Sequence, residues 1–173
     1  MTHRTAPSTW LAIALLAAAP AADAGDDART PRHVPSAYTQ ECAACHLAYP
    51  PGMLPARSWR RMMASLDRHY GSDASLDAAT VATLSDWLAA HAGSSRRVRD
   101  DDPPQDRITR SAWFERKHRR LDAASWAHPE VKSAANCAAC HPAAARGEFD
   151  DDDLRLPRGL VRRDRRDHRP LHD

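Results

Sequence analysis

The sequence predicts a mostly helical fold with little or no sheet, wrapped around something other than its own side chains. Three observations predict it. Apolar residues recur at helical spacing in three stretches, and no β-rich alternating segment interrupts them. Core-forming residues are scarce: after Ala24 there are 11 Leu, 1 Ile, 5 Val and 2 Phe, 19 of 149 positions or roughly 13%, below the ~20% where disorder becomes the default. Net charge is only +2, so charge repulsion is not what would hold such a chain open. Third, all four cysteines fall in two copies of one pentad, CAACH, at residues 42–46 and 137–141.

From the N-terminus, His3 and Arg4 precede an apolar run over residues 10–19, and Ala22-Asp23-Ala24 supplies a small-x-small cleavage pattern. That is the build of a secretory signal peptide. The run is far short of the ~20 residues of a membrane span, and an uncleaved anchor is the alternative. Residues 1–24 are expected to be removed on export, leaving 25–173 in the periplasm with no transmembrane segment.

Next comes the first pentad. An even cysteine count in an exported chain ordinarily signals disulfides, but C-x-x-C-H is the attachment sequence of a c-type haem. The spacing has a chemical reason. Two thiols must reach two vinyl groups on one porphyrin edge, and the adjacent imidazole must meet iron from one face. Cys42, Cys45, Cys137 and Cys140 are therefore expected to form thioethers to two covalent haems, with His46 and His141 as proximal iron ligands. A thioredoxin-like pair would expect a βαβ context. A zinc site would expect its cysteine pairs roughly 15–20 residues apart, whereas 91 residues separate Cys45 from Cys137. Two porphyrins would also supply the missing apolar surface, worth about 25 cal/mol per Å² whoever owns the atoms.

The other axial positions must come from elsewhere; the candidates are His33, His69, His91, His118, His128, Met53, Met62 and Met63. The stretch SWRRMMASLDRHYG carries Trp59, Met62, Met63, Leu66, His69 and Tyr70 on one helical face, with Gly71 as a stop. A histidine on an apolar face is ordinarily a satisfied core residue, but with a haem to cover, His69 is the expected distal ligand of the first haem. The neighbouring methionines read as packing, and Met53 is the best thioether candidate.

The following helix is expected over residues 76–90, with Ser75 as N-cap, a stripe of Leu76, Val81, Leu84, Trp87 and Leu88, and Gly93 past its end. His91, at its last turn, suits the helix dipole and is held in reserve as a ligand. Residues 93–106, polar, charged and broken by Pro103-Pro104, read as an exposed linker between two haem-binding halves, 25–92 and 107–157. Beyond it, ITRSAWFERKHRRLD predicts a short helix capped near Thr109 or Ser111, with Trp113, Phe114, His118 and Leu121 on one face. His118 is the expected distal ligand of the second haem, and His128, before Pro129, is its substitute. Residues 158–173 hold six arginines and read as a disordered, solvated tail, with steering of an acidic redox partner or contact with anionic lipid as the lesser reading. The acidic run 150–153 either faces water or pairs with those arginines.

In order, CAACH, W-R-x-M-M-x-x-L-D-R-H-Y-G, WLAAHAG, R-I-T-R-S-x-W-F-x-R-K-H, N-C-A-A-C-H and G-E-F-D-D-D-D-L-R-L-P make this sequence resemble the small dihaem cytochrome c proteins of bacterial periplasms, over residues 35–157. The tail lies outside the resemblance. It implies a small cytochrome c-like helical fold and bis-histidine electron carriage, with distal histidines where His69 and His118 lie. It also implies a redox partner that is another c-type cytochrome, such as a small oxygen-binding monohaem cytochrome; no nucleic-acid partner is expected. Iron with both axial positions filled passes electrons and has no place for substrate, and two imidazoles should hold the potential lower than imidazole plus thioether. The alternatives are a dihaem peroxidase-like enzyme or a haem gas sensor with one open site. Peroxidases of that kind are typically much longer chains.

Overall fold

The structure, a computed structural model, describes residues 30–160. The expected leader, residues 1–24, and residues 161–173 of the expected tail lie outside them. The described chain is helical and contains no strand, only an isolated bridge between His69 and Ser72.

Pro55 introduces helix α1, Ala56–Met63, where its fixed φ is pre-organised for a helix start. Ser58, Trp59 and Met63 are buried on its inner face, and the Trp59 indole donates to the Pro51 carbonyl at 2.7 Å. The continuous helical face expected from Trp59 to Tyr70 is not formed. The helix ends at Met63, and a short 3-10 turn, Leu66–Arg68, follows. The Ser65 hydroxyl donates to the Arg61 carbonyl at 3.0 Å, a local bond that competes with the helical ladder. Tyr70 and Gly71 then take φ of +51° and +99°, and the Ser72 amide closes the turn on the His69 carbonyl at 3.0 Å. Two central residues with positive φ make a primed turn. His69 thus enters a tight turn rather than sitting on a helix.

Helix α2, Ala78–Ala90, packs against α1 with Leu84 and Leu88 fully inside. Its cap is Asp77, whose carboxylate accepts from the Ala79 and Thr80 amides at 3.0 Å, and not the expected Ser75. Asp77 holds the extended backbone an N-cap needs. Beyond α2, the Gly93 amide donates to the Leu54 carbonyl at 3.0 Å. A Cβ there would overlap Val98 and lie 2.5 Å from the Gly52 carbonyl, so only glycine fits.

The charged stretch that follows is ordered along α1. It forms a one-turn helix α3, Arg96–Arg99, with Val98 buried. Arg57 donates to the carbonyls of Arg99, at 2.6 Å, and Asp101. Arg61 pairs with Asp102 at 2.7 Å and Asp106 at 2.5 Å. Exposed ion pairs are individually weak, but two guanidiniums on one helix engage successive points of the segment and set its path.

Helix α4, Ala112–His118, starts at Ser111, whose hydroxyl accepts from the Phe114 amide at 3.1 Å. Helix α5, Ala123–Trp126, opens with a capping box between Asp122 and Ser125. From Val131 onward the chain runs in turns. The main core is Tyr38, Met53, Leu54, Trp59, Met63, Leu84, Leu88 and Ile108. After Ile108 the buried apolar side chains among the described residues are Phe114, Val131, Ala143 and Ala144.

Candidate functional site

The first pentad leaves a π-turn, Tyr38–Cys42, closed by the Ala43 amide on the Thr39 carbonyl at 3.1 Å. That turn presents His46 with Nδ1 2.6 Å from the Leu47 carbonyl. A carbonyl only accepts, so Nδ1 carries the proton and Nε2 is left with a lone pair for a metal. The primed turn carries His69 to face it, ring centroids 6.0 Å apart and planes 21° apart. Tyr49 stacks on His46 at 5.1 Å and Tyr70 flanks His69 at 4.8 Å. Beside His69 lies a cleft of about 330 Å³ lined by Met62, Arg68 and Arg107 among others.

The second pentad begins with a 3-10 turn, Cys137–Ala139. The Asn136 amide side chain ties it to the Val131 carbonyl at 3.0 Å, and the Arg155 amide donates to the Cys140 carbonyl at 3.0 Å. His141 faces His118, with centroids 6.3 Å apart and planes at 74°. His118 closes α4, its Nδ1 2.9 Å from the Phe114 carbonyl, and again Nε2 is the free nitrogen. Phe114 stacks on His118 at 4.0 Å, Trp126 stands 5.7 Å from it, and Phe149 meets His141 at 5.4 Å.

Electrostatics suit metal binding, which needs neutral imidazole. Burial holds His69 below the usual histidine value, helped by His46 and Arg107. Burial also lowers His118, against the opposing hydrogen bond to Phe114, and lowers His141, with His118 adding to it. The thiols move the other way. Burial pushes Cys42 and Cys137 up to about 11 and raises Cys140. Reactive C-x-x-C pairs have lowered thiol values, so these are not poised as a thioredoxin-like couple. For zinc, the described residues contain no cluster of three or more His, Cys, Asp or Glu able to hold an ion.

Spacing tests the fit to haem. Metal–imidazole bonds of about 2 Å on either side of one ion, plus about 1 Å from each nitrogen to its ring centre, put two trans imidazoles about 6 Å apart. Both pairs stand at that separation. Among the described residues no other candidate histidine makes a ring contact with His46 or His141, and Met62 lines the cleft beside His69. Met53 and Met63 are buried in the core. His91 turns its Nδ1 to the Trp87 carbonyl at 2.8 Å as a helix cap. Both nitrogens of His128 are engaged, Nδ1 by the Glu130 amide and Nε2 at the Arg158 carbonyl. His33 contributes its carbonyl to the Trp87 indole. Sequence reasoning missed Tyr49, Trp126 and Phe149 as neighbours of these imidazoles, whereas it places Tyr70 beside His69. Of the three, only Tyr49 carried a signal, three residues past His46.

No described helix is long and apolar enough to cross a membrane. The family model for dihaem cytochrome c matches residues 38–149, and a comparison with curated protein sequences returned no match. Among solved structures, the chain is similar to a diheme cytochrome type c from Shewanella baltica OS155, at 36% identity and TM-score 0.63, covering 76% of this chain and all of that one. It is similar to a diheme cytochrome c from Rhodobacter sphaeroides, at 41% identity and TM-score 0.58, covering 65% and 94%. A second Rhodobacter sphaeroides structure gives 41% identity and TM-score 0.58 over 68% and 98%. With two C-x-x-C-H pentads, a strandless helical shell and these matches, the chain belongs to the dihaem cytochrome c family and carries two covalently bound c-type haems with iron.

Proposed function

We propose that this protein is a periplasmic one-electron carrier with both haems bis-histidine ligated, exported by residues 1–24. The observation that carries the reading is the pairing of His46 with His69 and of His118 with His141, each at the separation of two imidazoles on one metal.

The haem iron supplies reversible one-electron exchange between ferric and ferrous states. The chain's own residues do the rest. Cys42 and Cys45 would tether the first group, Cys137 and Cys140 the second; His46 and His141 would be the proximal ligands, His69 and His118 the distal ones. Hydrogen bonds from Nδ1 of His46 and His118 to main-chain carbonyls orient those rings and raise their basicity as ligands. Phe114, Trp126 and Phe149 pack against the second pair and cover part of it. With His46 and His69 holding one iron and His118 and His141 the other, neither site would leave a position for peroxide or a gas, which speaks against the peroxidase and sensor readings. Two imidazoles also set a low potential.

The haem-binding halves are residues 25–92 and 107–157, joined by 93–106. A carrier needs a redox partner, and another c-type cytochrome, such as a small oxygen-binding monohaem protein, is the kind we propose. Electron paramagnetic resonance of the oxidised protein tests the ligation. Two low-spin ferric signals are expected, and no rapid carbon monoxide binding after reduction at neutral pH. A high-spin signal, or fast carbon monoxide binding, would overturn the reading.

A further inference from the structure

Tyr49 belongs to the first half yet touches the second. Its ring stacks on His46, centroids 5.1 Å apart and planes 30° apart. Its hydroxyl donates to the Ala135 carbonyl at 2.9 Å, and that same oxygen lies 3.7 Å from the sulfur of Cys137. One side chain therefore spans from a proximal imidazole of the first site to the attachment segment of the second.

The chain holds Tyr49 from behind. Pro50 restricts its backbone to extended conformations and is itself fully buried. The phenol of Tyr38, packed in the core against Trp87, donates to the Tyr49 carbonyl. The residue is fixed at its base by the first half's core and at its tip by the second half's main chain. The second half has few buried side chains of its own, so an anchor from the first half weighs heavily on where Cys137 sits.

We propose that Tyr49 is a positioning residue for electron exchange between the two haems, a strut that sets the distance of the Cys137 attachment segment from the His46 site. The inference rests on the two-haem, bis-histidine reading above. In the exchange one iron goes from ferrous to ferric as the other goes from ferric to ferrous. A single electron crosses, and Tyr49 keeps its proton and is not oxidised. Because tunnelling falls steeply with distance, loosening the strut slows the exchange.

The test is Tyr49→Phe in the holoprotein, which keeps the stacked ring and removes the anchor. Intramolecular exchange after pulsed reduction is expected to slow several-fold. Amide hydrogen exchange over residues 133–136 should accelerate while both haems keep wild-type low-spin spectra. Tyr49→Leu, lacking the ring as well, should slow it further. An unchanged rate and unchanged amide protection in Tyr49→Phe, with both haems intact, overturn this assignment alone. Wild-type protein without two six-coordinate haems overturns the reading beneath it and this assignment with it.

Discussion

His46 and His69 face each other with ring centroids 6.0 Å apart and planes only 21° from parallel, although one leaves a π-turn and the other enters a primed turn. His118 and His141 stand 6.3 Å apart with planes at 74°. The two sites share a spacing and differ in orientation.

Removing either distal ring should open one iron and leave the other alone. In His69→Ala, one of the two haems is expected to turn high-spin when oxidised and to bind carbon monoxide when reduced; His118→Ala should do the same to the second haem. Spectra with two low-spin haems in both variants would refute the assignment of distal ligands.

Gly93→Ala should destabilise the fold by about 1–3 kcal/mol, the usual cost of overpacking a filled site. The added methyl would meet Val98 and the Gly52 carbonyl, forcing the end of α2 away from residues 52–54. Denaturant unfolding of the holoprotein gives the comparison. A midpoint equal to wild type would mean that the contact yields without strain.

Alkali should weaken the protein through Tyr38. Burial above all, with Tyr49 beside it, raises its phenol far above the ordinary value of 10.0. A group raised on folding contributes stability that is complete below its unfolded value and is lost as pH rises through the folded one. Stability should therefore hold to about pH 10 and decline above it. Tyr38→Phe should flatten that decline, at a cost of about 1 kcal/mol near neutrality for the lost bond to the Tyr49 carbonyl. Identical pH profiles for the two proteins would remove Tyr38 as the cause.

A haem-free protein, made by changing all four cysteines to alanine, should lose helix. The effect should be greatest after residue 107, where few side chains are buried. Circular dichroism reads the loss, and native helix content without haem would contradict it.

Some of this was written in short stretches of sequence. Attachment chemistry needs two thiols and an imidazole within five residues, so the two pentads, Cys42 to His46 and Cys137 to His141, were readable as attachment candidates from neighbouring residues alone. Helix α4 was too, since Ser111, Phe114 and His118 lie within two turns and their interactions are local. The stretch after Met63 was misread, because a helical period continues on paper through His69 and Tyr70 while the helix ends at Met63, where the Ser65 hydroxyl takes the Arg61 carbonyl; Gly71, read as a stop, does carry a positive φ.

The sequence by itself determined that the chain carries two covalent c-type haems within a helical shell, and it supplied the two pentads proposed to tether them. Only the tertiary structure decided which imidazole faces which, with His69 meeting His46 and His118 meeting His141, and that Tyr49 reaches across to Ala135. A covalent attachment motif is contiguous, so its chemistry can be read from neighbours in the chain. An axial pair or a strut joins residues far apart in sequence, and turns and packing bring them together.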